Sequence, residues 1–398
     1  MEQIDRTPLY CAAPDPQFGE RPNTSHNAVM NGSVQAVGVT AIAAGLLLVG
    51  SYPTEPSLTE APAAAIESGS ARETAATKLS KSRLAASVIF GCADSGDTAS
   101  QRRMAAAGVG GIVLLGSNPP RDLRSRLRQV QAAAPKNAAP IIASDEEGGF
   151  VQRLSPLIYP LPAAETMGSW SKSKLRTTAK KYGARMADLG VSMALAPVAD
   201  LRVPGSYLDR ANRAFSTSPD RTARAVNAWS KGLRKSSVVP VVKHWPGHGH
   251  AADTHEQAAR VPSYSSLKQA DLIPFERFIS AQPTPAVMVA HVQSTGLTKP
   301  GVPASQSPRA IRVLRADAGP DAVIMTDSLS MAAASSARGM SPAQAVVAAL
   351  KAGVDWAMVC TGSIEPSVKA IKKALNRGTL TRDQLEAASS RIQQLRES

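Results

Sequence analysis

The sequence predicts an α/β fold, specifically a single (β/α)8 TIM-type barrel. Eight short apolar runs alternate, for the most part, with amphipathic segments of helical periodicity, the pattern of parallel β/α units. Charged or imidazole side chains stand at or shortly after the end of five successive apolar runs, the third to the seventh. Because catalytic groups of such barrels lie at the carboxyl ends of the strands, these side chains are expected to meet at one mouth.

The eight apolar runs have the length and composition of buried strands. They are Ser87–Phe90, Gly111–Leu115, Pro140–Ser144, Ser192–Pro197, Val238–His244, Ala286–His291, Ala322–Thr326 and Trp356–Cys360. The clearest predicted helices are Arg121–Ala133, Ser173–Leu189, Asp220–Lys235 and Pro342–Ala352. With 43% hydrophobic and 19% charged residues, the chain has the composition of a globular protein with a sizeable core.

The first 80 residues differ in composition from the rest. Residues 1–33 are polar and rich in Pro and Asn, which predicts a disordered extension. An apolar run over residues 34–49 predicts a signal peptide or membrane anchor at 34–51, with a buried core helix as the alternative. Residues 52–80 read as a low-complexity linker, and residues 81–398 as the folded catalytic domain.

This tail predicts export to an extracellular, cell-wall or membrane-associated location, with residues 34–51 as the membrane contact. The sequence Leu48-Val-Gly-Ser51 is similar to a lipoprotein cleavage box. Serine stands where the lipid-bearing cysteine belongs, which excludes thioether lipidation.

The net charge of +14 is unevenly distributed: residues 1–80 carry eight acids and four bases, so the remainder carries +18. A basic body suits an anionic polymer or membrane surface. Nucleic acid is not predicted as a partner, because no basic helix with interleaved aromatic residues and no zinc-finger spacing is present. The three cysteines, Cys11, Cys92 and Cys360, are scattered and predict no disulfide framework.

Four of the six histidines, His244, His248, His250 and His255, lie on a glycine-rich stretch that follows the fifth predicted strand. Imidazole titrates near neutral pH, so the cluster indicates proton transfer or metal binding rather than an incidental polar loop. A zinc site built from these histidines with Asp253 is the open alternative, although the spacing matches no established zinc motif.

Asp327 ends the seventh predicted strand, where a buried carboxylate is costly unless it is paired or used. It is a candidate nucleophile or electrostatic stabiliser, with a helix N-cap as the alternative reading. Asp253 stands two residues before His255 and could fix the imidazole tautomer, so that His255 donates a proton and later activates water.

Further polar residues at the strand ends could bind substrate. Arg153, Arg213 and Lys243 could donate to sugar hydroxyls or an acyl carbonyl, and Asp145 could accept from a hydroxyl or cap a helix. The neighbouring Glu146 and Glu147 are assigned no catalytic role.

These motifs together resemble glycoside hydrolase family 3, in particular its single-domain bacterial β-N-acetylglucosaminidases. The resemblance covers residues from about 84 to 395, in the family's motif order. It is carried by Asp145-Glu-Glu-Gly-Gly-Phe-Val-Gln-Arg153, Ala196-Pro-Val-Ala-Asp200, Arg213-Ala-Phe215, Lys243-His-Trp-Pro-Gly-His-Gly249, Asp253-Thr-His255, Val289-Ala-His-Val292 and Thr326-Asp-Ser-Leu-Ser330.

The resemblance implies a retaining exo-β-N-acetylhexosaminidase that releases terminal β-linked GlcNAc through a covalent glycosyl-enzyme, without metal or cofactor. It implies that Asp327 is the nucleophile and that Asp253 and His255 form the acid/base dyad of a mobile loop. The implied ligands of the terminal sugar are Asp145, Arg153, Arg213, Lys243 and His244. Expected substrates are GlcNAc-containing saccharides or muropeptides of the cell wall, acted on by a monomer.

Three alternatives remain open from the sequence: a β-glucosidase, a GlcNAc phosphorylase of the same family, and a catalytically retired wall-saccharide-binding protein. The chain also departs from its relatives. Glu146 stands where glutamine is common, Ser328 where aspartate is usual, and the loop between Gly249 and Asp253 is one residue shorter.

Overall fold

The computed structural model describes residues 79–397. The predicted extension, the apolar segment 34–51 and nearly all of the linker lie outside these residues. The described part contains one eight-stranded parallel sheet. Its strands are β1 (Ile89–Asp94), β2 (Gly111–Leu115), β3 (Ile141–Ser144), β4 (Met193–Ala194), β5 (Val239–Trp245), β6 (Ala286–Val289), β7 (Val323–Thr326) and β8 (Ala357–Val359).

The sheet is a nearly closed barrel, as the alternating pattern predicts. The strand order is β7-β6-β5-β4-β3-β2-β1-β8, with β8 parallel to β1. Strands β7 and β8 meet at a single parallel bridge between Met325 and Trp356, where the Thr326 N–H donates to the Trp356 carbonyl over 3.1 Å. All eight predicted runs overlap a barrel strand.

Two strands differ in extent from the prediction. Strand β1 begins at Ile89 rather than Ser87, because Lys81–Ser87 forms a helix that starts with a hydrogen bond to the Ser80 side chain. Strand β4 covers only two residues of the predicted Ser192–Pro197 run. Its main chain still bonds to the neighbouring strands beyond Ala194, since the Leu195 N–H donates to the Ser144 carbonyl and the Lys243 N–H to the Pro197 carbonyl.

Helices cover the outside of the barrel and include the four predicted ones. They are α1 (Lys81–Ser87), α2 (Thr98–Ala107), α3 (Leu123–Ala133), α4 (Ala164–Gly168), α5 (Lys172–Leu189), α6 (Tyr207–Arg210), α7 (Pro219–Arg234), α8 (Tyr264–Leu267), α9 (Ile273–Ile279), α10 (Pro308–Ala318), α11 (Pro342–Ala352), α12 (Glu365–Asn376) and α13 (Arg382–Glu397). Within residues 79–397, no helix has both the length and the apolar composition needed to cross a bilayer.

Short additional elements stand at the carboxyl end of the barrel. Glu146–Gly148 and Val151–Gln152 form an antiparallel hairpin directly after β3. Ala259–Arg260 pairs in parallel with Val292–Gln293, beyond β5 and β6. These elements, and the loops around them, build the mouth of the barrel.

A disulfide joins Cys92 in β1 to Cys360 directly after β8, so the expectation of no disulfide framework is wrong for these two cysteines. The cause is strand pairing: Gly91 lies opposite Val359, and the next residue on each strand is a cysteine. The two Cα atoms are 4.6 Å apart, although 268 residues separate them in sequence. The spacing of the cysteines in the sequence could not reveal this contact, because the pairing of β1 with β8 creates it.

Loss of this disulfide is expected to destabilise the barrel. The Cys92→Ser/Cys360→Ser variant should have a free energy of unfolding lower by about 2–4 kcal/mol, because the bond restricts the unfolded chain across a long loop. Denaturant titration of the wild type with and without reductant should show the same difference. Cys11→Ser is the control, and equal loss of stability in that variant would contradict the assignment.

Candidate active site

The predicted site residues lie where the barrel strands end. Asp145 directly follows β3, Lys243 and His244 lie within the last residues of β5, and Asp327 directly follows β7. His255 reaches the same region from the loop after β5. The predicted gathering at one mouth is therefore present in the structure.

A buried ionic cluster forms one wall of the mouth. The Lys243 ammonium lies 2.6 Å from Asp145 Oδ1 and 2.6 Å from Glu147 Oε1. Arg213 donates to both oxygens of Glu147, at 2.8 and 2.9 Å. Two acids thus balance two cations, with the guanidinium in the bidentate geometry that fixes its orientation.

The electrostatics of this cluster keep its members charged. Burial alone would raise the pKa of Glu147, but Arg213 and Lys243 outweigh it and hold the pKa well below its usual range. Burial likewise opposes the charge on Lys243, and Asp145 and Glu147 outweigh it and raise the Lys243 pKa. The wall therefore presents fixed charges to a ligand.

Glu147 is a site residue that the sequence did not predict. Its side chain is only 1% exposed and joins both predicted cations. A usable signal was present: Arg213 and Lys243, each proposed to enter a buried site, need an anion to compensate them.

The neighbouring Glu146 faces away from this cluster. Its carboxylate accepts from the Ser144 hydroxyl, the Tyr182 hydroxyl and the Leu154 N–H, at 2.6, 2.6 and 3.1 Å. Burial raises its pKa to about 7. Glu146 thus anchors the hairpin that carries Asp145 and Glu147, which agrees with its having no predicted catalytic role.

Arg153 lies just after the return strand of that hairpin, and its backbone N–H donates to the Asp145 carbonyl over 3.2 Å. Its side chain is partly buried. The hairpin therefore holds Arg153 beside Asp145 through the main chain.

Asp200 holds the histidine segment in place. His244 Nδ1 lies 2.7 Å from Asp200 Oδ2, and the backbone N–H groups of His244 and His248 both donate to the same carboxylate. Asp200 is fully buried. Since Nδ1 of His244 is bound to this carboxylate, Nε2 is the ring nitrogen left for a ligand.

Asp327 is held as a carboxylate. Its backbone N–H donates to the Val289 carbonyl, and its Oδ1 accepts from the Ser328 N–H over 2.7 Å. Burial by itself would raise its pKa. The neighbouring imidazoles of His244, His291 and His255, with the Ser328 N–H, outweigh burial and hold the Asp327 pKa well below its usual range.

His291, two residues beyond β6, supports the loop after Asp327 rather than the ligand space. Its Nδ1 lies 2.7 Å from the Ser305 hydroxyl, and its Nε2 lies 2.9 Å from the Ser328 carbonyl. Burial lowers its pKa.

The loop carrying Asp253 and His255, called here the dyad loop (residues 251–257), packs over the Asp327 loop. Asp253 Oδ1 accepts from both the Nδ1 and the backbone N–H of His255, at 2.7 and 2.9 Å. The Ala332 and Ala333 N–H groups donate to the His255 and Thr254 carbonyls, each over 3.2 Å. Thus the main chain after Asp327 directly anchors the dyad loop.

This geometry favours protonation of His255. Partial burial opposes a charged ring, but the hydrogen bond to Asp253 and the negative charge of Asp327 outweigh it and raise the His255 pKa. Because Asp253 engages Nδ1, the transferable proton is on Nε2. The mouth thus combines an ionised carboxylate with an imidazole whose protonated form is favoured.

The histidines proposed as an alternative zinc site have separate partners. His244 contacts Asp200, His255 contacts Asp253, and His250 Nε2 lies 3.4 Å from Asp271 Oδ1. Across residues 79–397, no three His, Cys, Asp or Glu side chains are grouped so as to hold a metal ion.

The sequence profile described as Glycosyl hydrolase family 3 N terminal domain matches residues 86–395. The chain belongs to glycoside hydrolase family 3. It is therefore a glycoside hydrolase, as the motifs at the barrel mouth predicted.

Relatives within family 3 are consistent with this. The β-hexosaminidase LpqI of Mycobacterium tuberculosis is 31% identical over 323 residues, which cover 78% of this chain and 81% of LpqI. A β-hexosaminidase of Alkalilimnicola ehrlichii is 34% identical over 266 residues, 63% of this chain and 74% of the relative.

Solved family 3 structures share the fold. A glycosyl hydrolase of Mycobacterium smegmatis matches with a TM-score of 0.72 at 32% identity, covering 79% of this chain and 96% of that one. The β-N-acetylhexosaminidase of Beutenbergia cavernae matches with a TM-score of 0.72 at 26% identity, covering 80% and 99%.

Removing the charge of Glu147 is expected to impair this family 3 site. Glu147→Gln should reduce kcat/KM on an aryl β-glycoside by about tenfold or more, because it leaves two buried cations against one acid. Glu165→Gln, which alters a more exposed carboxylate paired with Arg202, is the matched control. Unchanged kcat/KM in Glu147→Gln would show that the cluster needs no second anion.

Proposed function

We propose that this family 3 enzyme is a retaining exo-β-N-acetylhexosaminidase that releases terminal β-linked GlcNAc from cell-wall fragments. The observation that carries the proposal is that Asp327 lies at the same barrel mouth as His255, whose ring is held by Asp253 and whose loop is anchored to the main chain after Asp327. The names of the similar β-hexosaminidases support the sugar specificity.

In the first proposed step, Asp327 attacks C1 of the sugar while His255 Nε2 gives its proton to the departing glycosidic oxygen. The C1–oxygen bond breaks and a C1–Asp327 ester forms, through an oxocarbenium-like transition state. Asp253 holds the imidazolium in the orientation required for this transfer.

In the second step, His255 is neutral and Nε2 takes a proton from water. The water oxygen bonds to C1, and the ester bond breaks to release Asp327 as a carboxylate. Two displacements at C1 return the β configuration. His255 regains its proton, so the enzyme returns to its starting state and water is the only co-substrate consumed.

The terminal sugar is proposed to bind against the ionic wall. Asp145, Lys243 and Arg213 present acceptors and donors for ring hydroxyls, with Arg153 beside Asp145 and His244 Nε2 completing the set.

A cell-wall substrate requires that the protein be exported, and two features support export. The apolar residues 34–49 fit a signal peptide or anchor. The Cys92–Cys360 disulfide is a bond that persists in oxidising, extracytoplasmic compartments. Residues 34–51 would then tether or release the enzyme at the membrane.

A substrate panel tests the activity. We expect p-nitrophenyl β-GlcNAc to be hydrolysed much faster than the glucose analogue, with GalNAc between them, and added phosphate to leave the product as free GlcNAc. Faster turnover of the glucoside would favour a β-glucosidase. GlcNAc 1-phosphate as product would identify a phosphorylase, and binding without turnover would identify a retired scaffold.

A further inference from the structure

The side of the barrel formed by α3, α5 and α7 is strongly cationic. Its exposed Lys and Arg side chains, called here the cationic face, are Arg121, Arg124, Arg128, Lys172, Lys174, Arg176, Lys180, Lys181, Arg185, Arg221, Arg224, Lys231 and Lys235. These helices and the residues flanking them hold three acids, of which Asp122 is paired with Arg126 and Asp220 with Arg277. Among the described ion pairs, none uses a side chain of the cationic face.

The three helices form one continuous surface. Gly232 of α7 packs directly against Ala179 and Lys180 of α5, and the Ser236 hydroxyl donates to the Lys180 carbonyl over 2.7 Å. Helices α3 and α5 meet at a groove of about 280 Å³ lined by Leu127, Arg128 and Gly190, among others. The thirteen cations therefore lie on adjacent helices along one side of the barrel.

The character of the face is electrostatic rather than apolar. The exposed large apolar side chains of the described residues are Leu79, Phe150 and Tyr159, and none lies on these helices. The helices bury their apolar sides in the barrel, so the face has nothing to insert into hydrocarbon. Such a surface suits a densely negatively charged partner that is bound without insertion of apolar side chains.

We propose that the cationic face docks on the anionic headgroups of a phospholipid membrane. Charge complementarity favours an anionic surface, and the apolar residues 34–49 place a potential membrane contact on the same chain. The 29 residues from 52 to 80 could span about 95 Å when extended. A linker of that length would allow any side of the barrel to contact the membrane. It would also raise the effective concentration of the barrel at the membrane surface.

The docking leaves the catalytic mouth open. The face runs along the helices on the side wall of the barrel, whereas the site lies at the carboxyl ends of the strands. The proposal rests on the proposed export but not on the sugar specificity, so activity assays separate the two.

Vesicle binding of the full chain tests the proposal. The wild type is expected to bind vesicles of equimolar phosphatidylglycerol and phosphatidylcholine more tightly than pure phosphatidylcholine, with the difference removed by high salt. Each Lys or Arg near an anionic membrane is worth about fivefold in partitioning. Arg128→Glu/Lys181→Glu/Lys231→Glu should therefore weaken the phosphatidylglycerol-dependent binding by at least about a hundredfold, since each change removes a cation and adds an anion.

The matched control is Lys351→Glu/Lys369→Glu/Lys373→Glu, which makes the same charge change at exposed positions of α11 and α12. It should retain most of the phosphatidylglycerol-dependent binding, and both triple variants should keep wild-type turnover of p-nitrophenyl β-GlcNAc. Equal weakening in both, or no dependence on phosphatidylglycerol, would overturn the proposal. Face-dependent binding to poly(glycerol phosphate) but not to vesicles would also overturn it and assign the face to a wall polymer.

Discussion

Replacing Asp327 by alanine is expected to abolish turnover of aryl and natural β-GlcNAc substrates alike. The loss in kcat should be about four orders of magnitude or more, as is typical when a covalent nucleophile is removed. The reason is specific to the structure. His255 and His244 hold the Asp327 pKa far below its usual range, so the carboxylate is ionised and ready to attack throughout the neutral range.

The control for this prediction lies at the other end of the same strand. Asp321 is exposed and stands two residues before β7, so Asp321→Ala makes the same chemical change away from the mouth. It should leave kcat within about twofold of the wild type. Substantial activity in a folded Asp327→Ala variant would remove the carboxylate from the mechanism.

Loss of His255 is expected to have an effect that depends on the leaving group. His255→Ala should lower kcat/KM on a natural disaccharide by about 10²- to 10⁴-fold, the usual contribution of a positioned acid. A dinitrophenyl glycoside needs little protonation of its leaving oxygen, so glycosylation of the enzyme should be much less affected. Burst kinetics would separate that step from the slower water attack.

His250→Ala is the matched control, because His250 contacts Asp271 and not the dyad. The pH profile gives a second readout. The His255 pKa is raised, so the protonated acid is present below that pKa, and kcat/KM on the disaccharide should fall as the pH rises through it. Asp253→Asn should move this fall to lower pH, because it removes the interaction that favours the imidazolium. Equal losses on both substrates in His255→Ala would contradict the acid role.

The barrel could be predicted from the sequence because each strand is a local apolar run with a local helix after it. The position of Asp145 or Asp327 at a strand end is likewise visible from its immediate neighbours. Strand β4 is shorter than predicted: it covers only Met193–Ala194, although the apolar run continues to Pro197.

Contacts that depend on the closed barrel could not be predicted in this way. Glu147 meets Arg213 across 66 residues, and Cys92 meets Cys360 across 268. Asp200 was noted only as the end of the Ala196-Pro-Val-Ala-Asp200 motif, and its role in holding two backbone N–H groups and the His244 ring follows only from the fold. The sequence therefore indicates which chemistry is present, and the barrel closure determines which groups act on one another.

Anchoring of the dyad loop is a further example. The Ala332 and Ala333 N–H groups donate to the His255 and Thr254 carbonyls. No pattern of side chains in the sequence predicts a main-chain contact of this kind. Because the anchor belongs to the loop that follows Asp327, the two proposed catalytic groups share one structural support. Their relative position is thus set by adjacent main-chain segments rather than by distant packing.

Covalent trapping tests the central claim most directly. The enzyme would be incubated with a 5-fluoro analogue of N-acetylglucosaminyl fluoride, which slows hydrolysis of the ester, and the labelled peptide mapped by mass spectrometry. We expect one sugar per chain, attached to the Asp327 carboxylate. A label on any other side chain, or turnover of the analogue without an adduct, would contradict it.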